Sequence, residues 1–326
     1  MGEKQAQALM TVVILTRSSA YIFSKTGLET LGTFNLLAAR FLLAFLVLGV
    51  IFRGRIKHIS RHDLLGGAII GAVFTGVMTF ELTALKTTDT GTVSFVENTA
   101  IVWVPLVEAA LIRKLPKPVN LITAVVALGG VALLTLRKGA LGFTHGEALC
   151  MCAAVFYATG IIVTDRFSHK GDALLVGIVE VGTIGVLGLI LALIFEQPRL
   201  PSGGTEWGCV LMLGLVCSAF GFTFQPVAQS HMDSQRAGLM CALNPAFASI
   251  LGVLILHESM NIEGVLGAAL ILSSLFIPHF FSTHQLAHRQ HHKTNRQHHR
   301  CCLFVLCRFI SPDGACGSEF SAAARR

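Results

Sequence analysis

Long apolar runs dominate this chain and leave little choice of fold. Residues 119–136 contain no charged side chain, and nine further runs of similar length carry few. About 20 apolar residues are needed for a helix to cross a hydrocarbon core about 30 Å thick, and barrel strands would alternate instead. The sequence therefore predicts an all-α integral membrane protein with ten transmembrane helices, at approximately 8–28, 32–52, 64–85, 91–112, 119–136, 146–164, 172–195, 207–228, 237–256 and 260–281.

The composition excludes several classes of protein. Only 13% of the residues are charged, against about 25% in soluble domains. A soluble enzyme, a disordered protein and a nucleic-acid binder are all excluded, and the expected surroundings are a lipid bilayer. The net charge of +7 follows from topology: with the N-terminus inside, the inner loops hold eleven Lys and Arg before the tail and the outer loops hold four. The positive-inside rule predicts a multi-pass plasma-membrane protein with both termini cytoplasmic.

The two halves of the chain resemble each other. Residues 63–137 align with residues 207–281 at a constant offset of 144, which places Asp89 on Asp233. The first two spans of each half align at offsets of 140 to 143, so Arg40 and Glu180 are equivalent. Five spans per half is an odd number, so the second half is inverted in the membrane. We predict two inverted five-helix repeats, a signature of secondary transporters with a midplane site, at 8–136 and 146–281.

Several short motifs carry a family resemblance. They are Ala38-Ala39-Arg40-Phe41, residues 225–229, and the block from Asn244-Pro245 through His257-Glu258 to Gly267. Over residues 8–281 the sequence resembles the EamA-type transporters of the drug/metabolite transporter superfamily. That resemblance implies ten helices, with helices 1–4 and 6–9 around a central cavity and helices 5 and 10 packing the halves together. The family often has a carboxylate where this chain has Asn244, so that role is absent here.

Four charged residues lie deep in predicted spans: Arg17, Arg40, Glu97 and Glu180. Each charge at the bilayer centre costs about 2.5–3.5 kcal/mol on insertion scales, so they must face each other or a watery cavity. We interpret them, with Asn244, as substrate-binding residues whose arginines attract an anionic group. A buried structural pair of Arg40 with Glu180 is the alternative. Glu81 and Glu108 lie near span ends, where long side chains are expected to reach the interface.

Prolines and glycines predict local features of the helices. Asn244-Pro245 predicts a hinge in the ninth span, with Pro245 as the hinge residue, or else an ordinary proline kink. Gly67 and Gly71 are four residues apart and predict a close approach of two helices. After residue 281 the tail is rich in His, Cys and Arg. We expect residues 282–326 to be a disordered cytoplasmic segment, with metal binding and palmitoylation as alternatives.

The predicted function is secondary active transport. The chain is expected to export a small polar metabolite or drug-like solute by alternating access. Coupling to a proton or to an exchanged solute stays open, as does a homodimer. Alternatives are an organellar exchanger of the nucleotide-sugar type, a membrane-embedded enzyme, and a non-transporting scaffold. No catalytic residue, cofactor or metal site is predicted, because His257-Glu258 lacks a second zinc ligand at Asn261 and no phosphate or dinucleotide loop occurs.

Overall fold

The computed structural model describes residues 2–111, 118–135, 144–231, 243–257 and 265–274, together with residues 113, 115, 240, 262 and 277. Residues 1–276 form one compact unit. The predicted tail at 282–326 therefore lies outside the described residues. Within the described ranges every regular element is a helix.

Both halves of the chain are helical within the described residues. The first half contains α1 (Glu3–Leu28), α2 (Thr33–Ile51), the short α3 (Arg53–Ile56), α4 (Arg61–Leu85), α5 (Thr90–Asn98), α6 (Ala100–Leu111) and α7 (Pro118–Thr135). The second half contains α8 (His145–Ser168), α9 (Ala173–Phe195), α10 (Gly204–Leu211), a π-helical segment (Met212–Phe222), α11 (Thr223–Gln229), α12 (Leu243–Leu256) and α13 (Val265–Ser274).

Seven helices among the described residues are long and apolar enough to cross a membrane. Five of them are single helices, namely α1, α2, α4, α8 and α9. The other two are composite: one joins α5 and α6, and one joins α10, the π segment and α11. The other three predicted spans fall on α7, α12 and α13, whose described lengths are shorter. An all-helical, multi-pass membrane protein is thus confirmed, while the number of ten spans stays a prediction.

Helices α2 and α9 pack on each other and are linked near both ends. Glu196, just after α9, accepts hydrogen bonds from the backbone N–H groups of Phe34 (3.2 Å) and Asn35 (3.0 Å) in the first turn of α2. At the opposite end Arg55, just after α2, lies 3.7 Å from the Asp172 carboxylate, which caps α9. A carboxylate is favourable at a helix N-terminus because the first N–H groups have no partner inside the helix.

Glycine allows α4 to lie directly on α9. A Cβ atom built on Gly67 would lie 2.5 Å from Val179 Cβ, and one on Gly71 would lie 2.6 Å from Thr183 Cβ. Neither position has room for a side chain. The Cβ position on Gly71 is in addition only 2.8 Å from the backbone oxygen of Glu180. The predicted close approach at Gly67 and Gly71 is therefore confirmed, with α9 as the partner.

The packing partners are matched between the halves. Helix α2 packs on α9, and α5 packs on α12. Helix α4 packs on α8 and α9, while the π segment packs on α1 and α2. These contacts surround a common centre, to which α1, α2, α4, α5, α8, α9, the π segment and α12 all contribute buried side chains.

The fourth predicted span contains a turn between α5 and α6. The Asn98 side chain donates to the Ser94 backbone oxygen at 2.8 Å, and the Thr99 hydroxyl donates to the Val96 oxygen at 2.6 Å. Side chains of this kind offer the backbone an alternative to helical hydrogen bonds. Only Thr99 is non-helical between α5 and α6, and the predicted span at 91–112 is found as a candidate span at Thr90–Ala110, with Glu97 in the last turn of α5 beside Thr99.

Candidate functional site

Two small cavities lie at the centre of the helices and share Arg17 and Asn244. One, of about 20 Å³, is also lined by Tyr21, Arg40 and Glu81. The other, of about 10 Å³, is also lined by Tyr157 and Gln225. A space of this size holds about one water molecule, whereas ligand pockets measure about 300–1,000 Å³. Neither of these two cavities therefore has room for a small-molecule ligand in the described conformation.

Arg17, on α1, stands where the two cavities meet. Its Nη1 donates to Oε1 of Gln225 on α11. Its Cζ atom lies 4.4 Å from the ring centroid of Phe222, 5.5 Å from that of Tyr157 and 5.9 Å from that of Phe74. Aromatic faces attract a cation by about 0.5–2 kcal/mol depending on desolvation. The three rings therefore hold a charged guanidinium at the centre of the molecule.

Arg40, on α2, is buried at 2% exposure. Its Nη1 donates to Ser24 Oγ at 3.2 Å and its Nη2 to Met78 Sδ at 2.7 Å, while its Nε has no hydrogen-bond partner among the described residues. A buried charge normally has an ionic partner, and within the described ranges no carboxylate lies in ion-pair distance of this one.

Glu180, on α9, is buried, and its Oε2 has no hydrogen-bond partner among the described residues. The nearby charge that acts on it is Arg17. The alternative prediction of a structural pair between Arg40 and Glu180 thus finds no ion pair in the described part of the chain. Both residues instead present unsatisfied polar atoms to the interior.

Glu97, on α5, accepts a hydrogen bond from the Tyr21 hydroxyl at 3.0 Å. Its carboxyl group also hydrogen bonds to that of Glu81, on α4. Glu81 is only 4% exposed, so the prediction that it reaches the membrane interface is wrong. The span ends at Leu85 as predicted, so the reason is the helix face: Glu81 lies on a buried face of α4 and lines the cavity.

Asn244, on α12, is joined to α1 by a hydrogen bond from Ser18 Oγ to Asn244 Oδ1 of 2.6 Å. Both side chains are buried. Pro245 follows in the first turn of α12, where a proline is tolerated because the first N–H groups of a helix lack internal partners. The structure brings Asn244 together with Arg17, whereas a hinge at Pro245 stays a prediction.

The family model for the EamA-like transporter family matches residues 5–136 and, a second time, residues 144–278. The two matches together cover most of the chain. This chain belongs to the EamA-like transporter family. It is therefore a multi-pass membrane transporter, a class that is generally not enzymatic.

Relatives of this EamA-like transporter carry transporter names. An uncharacterized transporter of Archaeoglobus fulgidus is 26% identical over 279 residues, which is 82% of this chain and 95% of the relative. A probable biotin transporter of Pseudomonas aeruginosa is 27% identical over 163 residues, which is 48% of this chain and 57% of the relative. A solved crystal structure at 19% identity has a TM-score of 0.64 and covers 86% of this chain and 99% of its own, which shows a shared fold.

Three site residues of this transporter escaped sequence reasoning: Tyr21, Glu81 and Gln225. Glu81 and Gln225 were aligned with each other at the offset of 144, and that equivalence was the available signal, since Gln225 is the partner of Arg17. Tyr21 gave no signal, because a tyrosine in an apolar helix is ordinary core. Its role follows only from the position of Glu97.

More polar atoms at the centre lack partners. Among the described residues, Ser218 Oγ, Thr223 Oγ1 and both side-chain amide atoms of Gln229 are buried without a hydrogen bond. Such groups are rare in folded proteins and usually meet water, an ion or a ligand. For a metal, the described ranges bring together no group of three His, Cys, Asp or Glu side chains.

Proposed function

We propose that this chain is a secondary active transporter that moves a small polar solute with an anionic group by alternating access. The observation that supports the proposal most directly is the buried polar centre, where Arg17 and Arg40 line one cavity between helices of both halves. The substrate-binding residues are Arg17, Arg40, Glu97, Glu180 and Asn244, as predicted, with Glu81 and Gln225 added.

An anionic group fits the surroundings of Arg17. The guanidinium lies against three aromatic rings, and its Nη1 donates to the neutral amide of Gln225. A carboxylate or phosphate can replace that amide and form charge-assisted hydrogen bonds, which are about twice as strong as neutral ones. The unpartnered Arg40 Nε offers a further donor when the cavity widens.

Alternating access is supported by the relation between the halves. The family model matches twice, and the contacts of α4 with α8 and α9 correspond to those of the π segment with α1 and α2. We propose ten spans in two inverted repeats, 8–136 and 146–281, that rock about the cavity. Pro245 in α12 and the turn before Ala100 lie in the paired helices α12 and α5 and are the proposed hinges.

Location and direction complete the proposal. The excess of Lys and Arg in the inner loops favours a plasma membrane orientation with both termini cytoplasmic, and export is the predicted direction. The tail at 282–326 is assigned no part in transport. Biotin, a carboxylic acid, is the first probe, because a partial relative is named as a probable biotin transporter.

The test is uptake by proteoliposomes of a metabolite pool that includes biotin, read by mass spectrometry. We expect the wild type to enrich one or more anionic solutes and Arg17→Gln to reduce this at least about tenfold, equal to about 1.4 kcal/mol. Arg53→Gln is the matched control, since that side chain is exposed on α3, and it should transport normally. A folded wild type that transports nothing favours the scaffold alternative, and transport that occurs only as exchange favours the exchanger alternative. Enrichment of cations and of no anion would contradict the anionic site.

A further inference from the structure

The carboxyl groups of Glu81 and Glu97 are in direct contact at the polar centre. Each is buried, at 4% and 1% exposure, and they hydrogen bond to each other. A hydrogen bond between two carboxyl groups requires a proton on one of them, because an ionised carboxylate can only accept. Two adjacent carboxylates also repel too strongly for both to be ionised. The pair therefore has the geometry of a shared-proton site.

Among the described residues, the charged and titratable groups around the pair come from four helices and the π segment. Tyr21 donates to Glu97, and the arginines act on Glu81 through space. On the described part of α12, the residue facing the centre is the uncharged Asn244. The full set is Arg17 and Tyr21 on α1, Arg40 on α2, Cys150 and Tyr157 on α8, Glu180 on α9, and Cys217 on the π segment.

The balance of charge at the centre also requires one proton. With every acid and base ionised, the described cluster would contain the two positive groups Arg17 and Arg40 and the three negative groups Glu81, Glu97 and Glu180. An uncompensated buried charge is strongly unfavourable. One proton on the Glu81–Glu97 pair makes the cluster neutral. Without it, the cluster is negative and opposes the entry of an anion.

We propose that the Glu81–Glu97 pair binds one transported proton, which crosses the membrane together with the anionic solute. This inference rests on the proposed function. Glu81 lines the cavity beside Arg17, so the proton enters through Glu81 and is shared with Glu97 behind it. The solute anion is bound by the arginines while the proton is present. When the cavity opens to the other side, the anion and the proton leave together, and no covalent bond other than O–H is made or broken.

Cooperation between the two ligands follows from electrostatics. A solute anion beside Arg17 offsets the positive charge of the guanidinium. Since that charge favours the ionised form of the Glu81 and Glu97 carboxyl groups, the anion strengthens proton binding to the pair. By linkage, the proton strengthens anion binding by the same factor. A monoanion and one proton move as a neutral pair, so a gradient of about one pH unit can drive accumulation up to about tenfold.

The experiment uses proteoliposomes loaded with a pH-sensitive dye, with biotin or the solute found in the uptake screen, under an imposed pH gradient. With an alkaline lumen and an acidic exterior, wild type should accumulate solute in the lumen and acidify the lumen as it does so. Glu97→Gln and Glu81→Gln should lose both the gradient-driven accumulation and the acidification of the lumen, because an amide cannot carry the transported proton. Glu108→Gln is the matched control, because that carboxyl is exposed on α6, and it should behave as wild type.

A second variant protects the test against misfolding. Tyr21→Phe removes the hydroxyl that donates to Glu97 and keeps the ring. Without this donor the carboxylate form is less stable, so the midpoint of the pH profile of transport should move to higher pH. A merely structural tyrosine would leave the midpoint unchanged, and that result would contradict the shared-proton site.

The outcomes separate the inference from the proposed function. Solute transport that neither depends on pH nor moves protons overturns the inference and leaves the transporter assignment intact. Absence of any transport by folded wild type overturns both. If Glu97→Gln and Glu81→Gln transport a proton with the solute as wild type does, another group carries the proton, and the inference is likewise overturned.

Discussion

The two halves of this transporter place different chemistry at equivalent positions. At an offset of 140, Arg17 on α1 corresponds to Tyr157 on α8, and these two side chains touch across the cavity. At an offset of 144, Glu81 corresponds to Gln225. At the polar centre the first half supplies the two arginines and the carboxyl groups of Glu81 and Glu97, whereas the second half supplies the Tyr157 ring, amides and the carboxyl group of Glu180. The same family model matches both halves, while the charges of the polar centre are concentrated in the first half.

The sharpest way to probe this difference is the equivalent pair Arg40 and Glu180. Arg40→Gln should abolish transport, because it removes a charge that lines the cavity. In unfolding, the effects of Arg40→Gln and Glu180→Gln should add within about 0.5 kcal/mol, as expected for residues without direct contact. The measurement is a double-mutant cycle on thermal unfolding in detergent. A double variant clearly more stable than the sum predicts would show that the two form a structural pair.

A second prediction places a carboxyl group at Gln225, the position in the second half that corresponds to Glu81 in the first half. Gln225→Glu should form an ion pair with Arg17, whose present partner there is the neutral amide. The new carboxylate competes with an anionic solute, so the apparent affinity should fall by about tenfold or more, equal to about 1.4 kcal/mol. Concentration-dependent uptake by proteoliposomes measures this. Gln197→Glu, at an exposed position, is the control, and equal losses in both variants would contradict the role of Arg17.

A third prediction concerns the scaffold. Gly71→Ala places a Cβ 2.6 Å from Thr183 Cβ and 2.8 Å from a backbone oxygen of α9, so the helices must separate. Overpacking of this kind costs about 1–3 kcal/mol, and the thermal unfolding temperature should fall. Gly208→Ala is the control, because nothing lies within 4 Å of its Cβ position. A Gly71 variant as stable as wild type would mean that α4 and α9 are not in close contact in the membrane.

Local sequence was sufficient where local physics decides. The apolar runs predicted α1, α2, α4, α8 and α9 closely, because span length and hydropathy are properties of the segment itself. The fourth predicted span is also found, at Thr90–Ala110, but the turn at Thr99 between α5 and α6 was not predicted, since hydropathy carries no information on backbone hydrogen bonding. The π segment Met212–Phe222 was likewise not predicted, because its apolar sequence suits an ordinary helix as well.

The sequence by itself determined that this is a helical membrane protein of the transporter class, and it singled out Arg17, Arg40, Glu97 and Glu180 as charges that must face the interior, because a charge within an apolar span cannot remain in lipid. Only the tertiary structure decided their partners. Arg17 bonds to Gln225, 208 residues away, and Glu97 joins Tyr21, 76 residues away, and Glu81. Partner choice depends on how each helix is rotated and packed against helices distant in sequence, and spacing along one helix does not contain that information.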